Sequence, residues 1–136
     1  AWRVSPVEKA IQQLDRNGPV GSVYEFDRVF DQDAANSDIF SSVKESITKF
    51  MEGFNATIFA YGPTASGKTH TMMGNRLEKG IIPLSIDKIF DYIDRTPNRV
   101  FLLRISYMEI YNETINDLLR DDSKDNTSSL SIRESD

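Results

Sequence analysis

The sequence predicts an α/β domain built in layers, with a mainly parallel central sheet and helices on both of its faces. Three observations carry that expectation. TIFAY at 57–61 is too short for a helix and too uniformly apolar for a half-exposed strand. Helix-spaced apolar stripes flank it on both sides. A second apolar run, VFLLRISYMEIY at 100–111, leaves neither face wholly polar, as an interior strand requires. The main elements therefore follow as strand, helix, strand, helix, strand.

Each element has its own local reason. WRV and AIQQL followed by DRNG predict a small hairpin over about 2–20, since Asn17 and Gly18 tolerate the positive φ of a tight turn. VYEFDRVF at 23–30 is aromatic and β-branched enough for a strand. From 37 the period changes: Ile39, Val43, Ile47, Phe50 and Met51 share one helix face, with Ser37 to cap the start and Gly53 to stop the end. A helix is expected to begin near Gly67, after TIFAY. Pro83 suits a first helical position, followed by a stripe of Ile86, Ile89, Phe90 and Ile93. ETINDLL at 113–119 reads as a short helix and LSIRE at 130–134 as a last strand. Between them DDSKDNTSS, 121–129, reads as an exposed polar connector.

Composition narrows the function. The chain has 136 residues and a formal net charge of −5, from 16 basic and 21 acidic side chains. That balance argues against a generic nucleic-acid or membrane-surface partner, so an anionic ligand must be met locally. With no cysteine and one histidine, neither a disulfide framework nor a Cys- or His-rich metal site can form. AWRVSPVEKA lacks signal-peptide character and no window approaches a membrane span, so an intracellular, reducing compartment is expected. The N-x-[ST] triplets at Asn55, Asn112 and Asn126 then read as coincidence.

The residues that follow TIFAY carry the chemistry. Gly62, Pro63, Thr64, Ala65, Ser66, Gly67, Lys68 and Thr69 spell G-x-x-x-x-G-K-[ST] between a buried strand and a helix start. Its glycines let the backbone curl so that successive N–H groups point inward at phosphate oxygens, and the helix start adds unpaired donors. Lys68 brings a full charge to the β and γ phosphates, and the Thr69 hydroxyl is a hard oxygen suited to Mg²⁺. A chance match in a chain of this length is on the order of one percent. Pro63 removes one amide donor from the loop, and an altered affinity is expected from it. A phosphate loop of this kind implies a P-loop NTPase-like fold, though not a function.

Neighbouring stretches go further. YEFDRVF, GFNATIFAYGPTASGKTHTMMG, GIIPLSIDKIF and FLLRISYMEIYNETINDLL, in that order, resemble the first half of a kinesin motor domain over most of residues 23–134. TASGKT, TMMG and the last stretch look closest to the centromere-associated, centromere-protein-E-type kinesins. The resemblance implies an ATP- and ADP-binding segment of a microtubule-dependent motor ATPase, with Mg²⁺ as cofactor and a role in chromosome or kinetochore movement. It places the parent on the cytoplasmic microtubule cytoskeleton, at the spindle or kinetochore, as a coiled-coil dimer. Its tubulin contacts are expected mainly from parts of the parent beyond Asp136, with no nucleic-acid or membrane partner. His70 is similar in position to a family side chain that stacks on adenine; the alternative is a solvated first-turn residue. Tyr107, Glu109 and Tyr111 read as strand packing, and Met72 and Met73 as core.

Departures from the family pattern are as informative. Pro63 stands where the family usually has Gln, and Ala56 where it has Gly. RVSP at 3–6 is similar to the family's adenine-clamping R-x-R-P, with Ser5 in place of the second Arg, but hairpin residues explain it better. The family's two γ-phosphate switches, S-S-R-S-H and D-x-x-G-S-E, are not in these residues. Residues 1–136 are therefore expected to be a partial motor domain, inactive and weakly folded alone because its sheet would have open edges. Two other readings remain: a different P-loop enzyme such as a small-molecule kinase, and a kinesin-like module that binds microtubules or a partner without hydrolysis.

Overall fold

Turn chemistry shapes the first part of the chain. The computed structural model describes residues 1–120 and 130–133, in two compact units, Ala1–Arg99 and Val100–Asp136. In the first unit, strands β1 (Trp2–Ser5), β2 (Ala10–Asp15) and β3 (Gly18–Glu25) form an antiparallel meander. Asp15 Oδ1 accepts the Asn17 N–H at 2.7 Å, which turns the chain, and Gly18 enters β3 with φ +122°. The hairpin expected over about 2–20 is thus the front of a three-stranded sheet. VYEFDRVF pairs only as far as Glu25, after which the Phe26 N–H reaches back to Lys9 O at 2.9 Å and the strand ends. Trp2 and Tyr24 meet across the sheet, ring centroids 6.4 Å apart.

Helix α1 (Asn36–Met51) follows the 3.6-residue stripe, and buries Ile47 and Met51. Gly53 ends it as expected. With φ +106° it donates to Phe50 O at 3.0 Å while the Phe54 N–H returns to Lys49 O at 3.1 Å, a Schellman closure that satisfies two terminal carbonyls. The start differs from expectation, because Ala35 and not Ser37 is the N-cap. Carboxylates replace the missing cap: Asp38 Oδ2 accepts the Ala35 N–H at 3.1 Å, and Glu78 Oε1 accepts the Asn36 N–H at 2.5 Å.

Two more helices complete this unit, α2 (Lys68–Met73) and α3 (Ile81–Asp94). α3 starts two residues before Pro83. A proline there costs nothing, since first-turn N–H groups have no intrahelical acceptor. α3 packs on α1 and also contacts α2, with Ile81 buried at 3% exposure. Of its predicted stripe, Ile89 and Ile93 are half-buried, whereas Ile86 and Phe90 are exposed.

The parallel sheet is where sequence and structure part. Residues 57–61 form no strand; Phe59 is 79% and Tyr61 94% exposed. Residues 100–107 form no strand either, and Val100, Leu102 and Ile105 are exposed. A central parallel strand exists only through hydrogen bonds to neighbours on both edges. Among the described residues no strand lies beside either run, and both sheets are antiparallel.

In the unit Val100–Asp136, β4 (Met108–Tyr111) and β5 (Thr114–Asp117) form a hairpin. This corrects the helix expected over 113–119. Asn112 (φ +47°) and Glu113 (φ +60°) both occupy left-handed space, as a two-residue hairpin turn of the I′ kind demands, and β-branched Thr114 and Ile115 then pair back. Tyr107 O accepts the Leu118 N–H at 2.8 Å and extends the pairing. Tyr111 and Glu109 lie in β4, opposite Thr114 and Asn116, as strand residues. Leu130–Arg133 form no strand. The polar connector, 121–129, and the end of LSIRE lie outside the described residues. No described helix is long and apolar enough to cross a membrane.

Candidate functional site

The G-x-x-x-x-G-K-[ST] residues fold as a tight curl. Backbone φ is positive at Gly62 (+155°), Ala65 (+64°) and Gly67 (+91°), and the Ser66 N–H closes an internal turn on Pro63 O at 3.3 Å. A Cβ on Gly62 would stand 2.7 Å from Ser66 Oγ, so any other residue there would have to turn that hydroxyl away as well as adopt a φ that favours glycine. Among the described residues, the amides of Thr64, Ala65 and Gly67 meet no protein acceptor. These features are the backbone requirements of an anion cradle.

Lys68 is the charge of this loop. Its half-buried side chain folds back, Nζ donating to Gly62 O at 3.0 Å and to Pro63 O at 2.7 Å. The ammonium is thus held against the loop's own carbonyls, acceptors that an incoming phosphate can replace with charged oxygens. Pro63 contributes through its carbonyl, which accepts from both Lys68 and Ser66. Its missing N–H is therefore only part of what it does. Thr69 is exposed on the first turn of α2. Because α2 has only six residues, its dipole is small, and loop amides with Lys68 carry most of the positive potential.

His70 is half-exposed, with Nε2 3.2 Å from Asn75 Nδ2 and 3.8 Å from Glu78 Oε2. Its ring edge is therefore held by the segment after α2, which neither reading of the sequence anticipated. That segment is folded tightly. Asn75 Oδ1 accepts the N–H groups of Leu77 and Glu78, and Asn75 N–H donates to Glu78 O at 2.8 Å. Gly74 (φ +77°) and Gly80 bring its two ends together.

Sequence reasoning missed Asn36, which is 2% exposed. Its Nδ2 donates to His70 O at 3.1 Å, joining α1 to α2. No sequence signal marks it, since a lone Asn before Ser-Asp reads as a cap. Met72 is half-buried and Met73 exposed, so Met73 is not core. Among the described residues, no group of three or more His, Asp or Glu could hold a metal ion.

Comparison with known proteins decides the family. The pattern described as "Kinesin motor domain" matches residues 4–136. The chain belongs to the kinesin motor-domain family. Kinesin-like protein KIN-7G of Oryza sativa subsp. japonica is 53% identical over 97 residues, 71% of this chain and 11% of that protein. Kinesin-like protein KIN-7D, mitochondrial, of Arabidopsis thaliana is 54% identical over 99 residues, 72% of this chain and 9% of that protein. Kinesin-like protein KIN-7L of Oryza sativa subsp. japonica is 48% identical over 120 residues, 87% of this chain and 18% of that protein. The chain thus spans between about a tenth and a fifth of the length of these kinesins. Their KIN-7 names support the family and do not extend to the centromere-associated type. An unrelated P-loop kinase is set aside by the family match.

Proposed function

We propose that the protein carrying this chain is a microtubule-dependent motor ATPase and that residues 62–69 cradle the phosphates of its ATP. One observation carries the reading: in a kinesin motor-domain chain, the Lys68 ammonium is folded into a loop curled at Gly62, Ala65 and Gly67, with free amides beside it. The bound nucleotide, with Mg²⁺, supplies the polyphosphate whose terminal bond is hydrolysed. Lys68 would hold the β and γ phosphates, exchanging two neutral carbonyls for charged oxygens. Backbone amides of Thr64, Ala65 and Gly67 would bind and orient the phosphate chain around the Ser66 turn, and the Thr69 hydroxyl would ligate Mg²⁺. His70 would approach the adenine. Bond cleavage itself is assigned to none of these residues, because positioning and charge are their contribution.

The reading places the whole protein on the cytoplasmic microtubule cytoskeleton, with ATP and ADP as its nucleotides and tubulin as its track. A coiled-coil dimer is part of the same expectation, and sedimentation of the full-length protein tests it. The relatives' names give no support to a kinetochore or chromosome role, and the proposal is limited to the motor. The deciding experiment is steady-state ATPase of the full-length protein with and without microtubules. Turnover should rise with microtubules and collapse in Lys68→Ala; turnover indifferent to both would remove the proposal.

A further inference from the structure

One part-buried polar cluster, centred on buried Asn36, stands beside the loop and is not accounted for by phosphate binding. Asn36 is buried to 2% exposure at the first position of α1, a costly place for an amide unless each polar atom is used. Both its main-chain and its side-chain N–H donors are used. The main-chain N–H of Asn36 donates to Glu78 Oε1 at 2.5 Å, across 42 positions of sequence, and its Nδ2 donates to His70 O at 3.1 Å, across 34. The second oxygen of Glu78 faces His70 Nε2 at 3.8 Å. His70 O also takes the Gly74 N–H at 2.8 Å, so the Asn36 amide joins a bond that already closes the end of α2.

The consequence is mechanical. α2 is six residues long, too short to be stable through its own hydrogen bonds. Lys68 and Thr69 form its first turn and His70 lies one residue on, so whatever fixes His70 fixes their direction. Packing on α3 restrains α2 along one side. The Asn36 amide supplies directional restraint on α2, and the Glu78 carboxylate, bonded to the Asn36 N–H, fixes Asn36 at the start of the sixteen-residue α1. Glu78 is itself set by the Asn75 turn and the Gly74–Lys79 bridge, so it meets α1 from a preformed loop.

From this geometry we infer that Asn36 and Glu78 are positioning residues for the nucleotide site: together they clamp α2 through His70 and so hold Lys68 and Thr69 toward the phosphates. The inference rests on the proposed phosphate site. It differs from a general stabilising role in what it affects, because a loosened α2 weakens phosphate binding while the rest of the domain stays folded.

The test is microtubule-stimulated ATPase of the full-length protein as a function of MgATP, with Asn36→Ala, Glu78→Ala, Glu78→Gln and Lys68→Ala. Loss of one net hydrogen bond from the bound state corresponds to about a three- to tenfold rise in KM. Asn36→Ala and Glu78→Ala should each show that rise with kcat within about twofold. Glu78→Gln, which keeps the acceptor for the Asn36 N–H, should recover most of the loss. Glu78 is a part-exposed loop side chain, so its variants keep the test open if Asn36→Ala fails to fold. An unchanged KM in both alanine variants, while Lys68→Ala abolishes turnover, overturns the clamp and leaves the phosphate site standing. Equal loss in Glu78→Gln and Glu78→Ala also overturns it. A wild-type protein that does not respond to MgATP overturns both readings.

Discussion

Replacing Gly74 with alanine should open the junction between α2 and α3 far more than an ordinary positive-φ glycine substitution does. Gly53 supplies the reference: φ is +106° and a Cβ there meets nothing within 4 Å, so Gly53→Ala costs only left-handed backbone strain, about 1–2 kcal/mol. Gly74 has φ +77° and ψ −156°, a region essentially confined to glycine, so its backbone strain is at least as large. Its Cβ would also overlap Glu78 O and Gly80 N and stand 2.7 Å from Lys79 C. These are backbone atoms of the bridge that closes the segment, so they cannot swing aside as a side chain would. Overpacking of this sort adds about 1–3 kcal/mol. Hydrogen exchange followed by mass spectrometry on the full-length protein reads both sites locally. An excess of about 2 kcal/mol appears as roughly thirtyfold faster exchange across 68–94 in Gly74→Ala than Gly53→Ala produces at the end of α1. Equal acceleration in the two variants would refute the reasoning, because it would mean that the close approach of the two chain segments carries no cost.

Two further outcomes are expected. Ile81→Ala, at a residue 3% exposed where α3 begins, should destabilise the protein by about 2–4 kcal/mol in urea denaturation, whereas exposed Ile82→Ala should cost much less. Lys49 donates to Glu52 Oε2 at 3.0 Å, and that hydrogen bond, together with the Glu52 charge, raises its pKa above the ordinary 10.5. A raised folded-state value means that the pair supports the end of α1 fully below the unfolded pKa and loses that support as pH rises through the folded one. In Glu52→Gln the Lys49 side-chain NMR titration should move down toward 10.5; an unmoved midpoint would deny the pairing.

What could be read from the chain follows how local each signal was. The stripe from Ile39 to Met51 and the stop at Gly53 were legible, because helix period and a left-handed C-terminal glycine depend on near neighbours alone. The eight residues from Gly62 to Thr69 were legible as a curl for the same reason: two glycines, a lysine and a threonine dictate it. Asn112-Glu113 was misread because the turn lacks the usual Asn-Gly pair, and ETINDLL has helix-compatible spacing that pairing with β4 overrides. TIFAY and VFLLRISYMEIY read as interior strands from their apolarity, and only the last four residues of the second, in β4, form a strand. Apolarity states a preference for burial, but strand formation also needs a neighbouring strand, and no described strand lies beside the rest of these residues. Asn36 and Glu78 were invisible for a different reason. Their relation spans 42 positions, and no pattern along a chain encodes a carboxylate capping a distant helix.

The claim at the centre is that the loop at 62–69 grips the phosphates of ATP, with Lys68 as its charge. Calorimetric titration of MgATP into nucleotide-free full-length protein and into Lys68→Ala measures that grip without any dependence on movement or turnover. Saturable uptake at one nucleotide per motor domain, weakened about ten- to a hundredfold on loss of the charged hydrogen bonds, is the predicted result. No uptake by the wild type, or equal affinity in the two proteins, would contradict it.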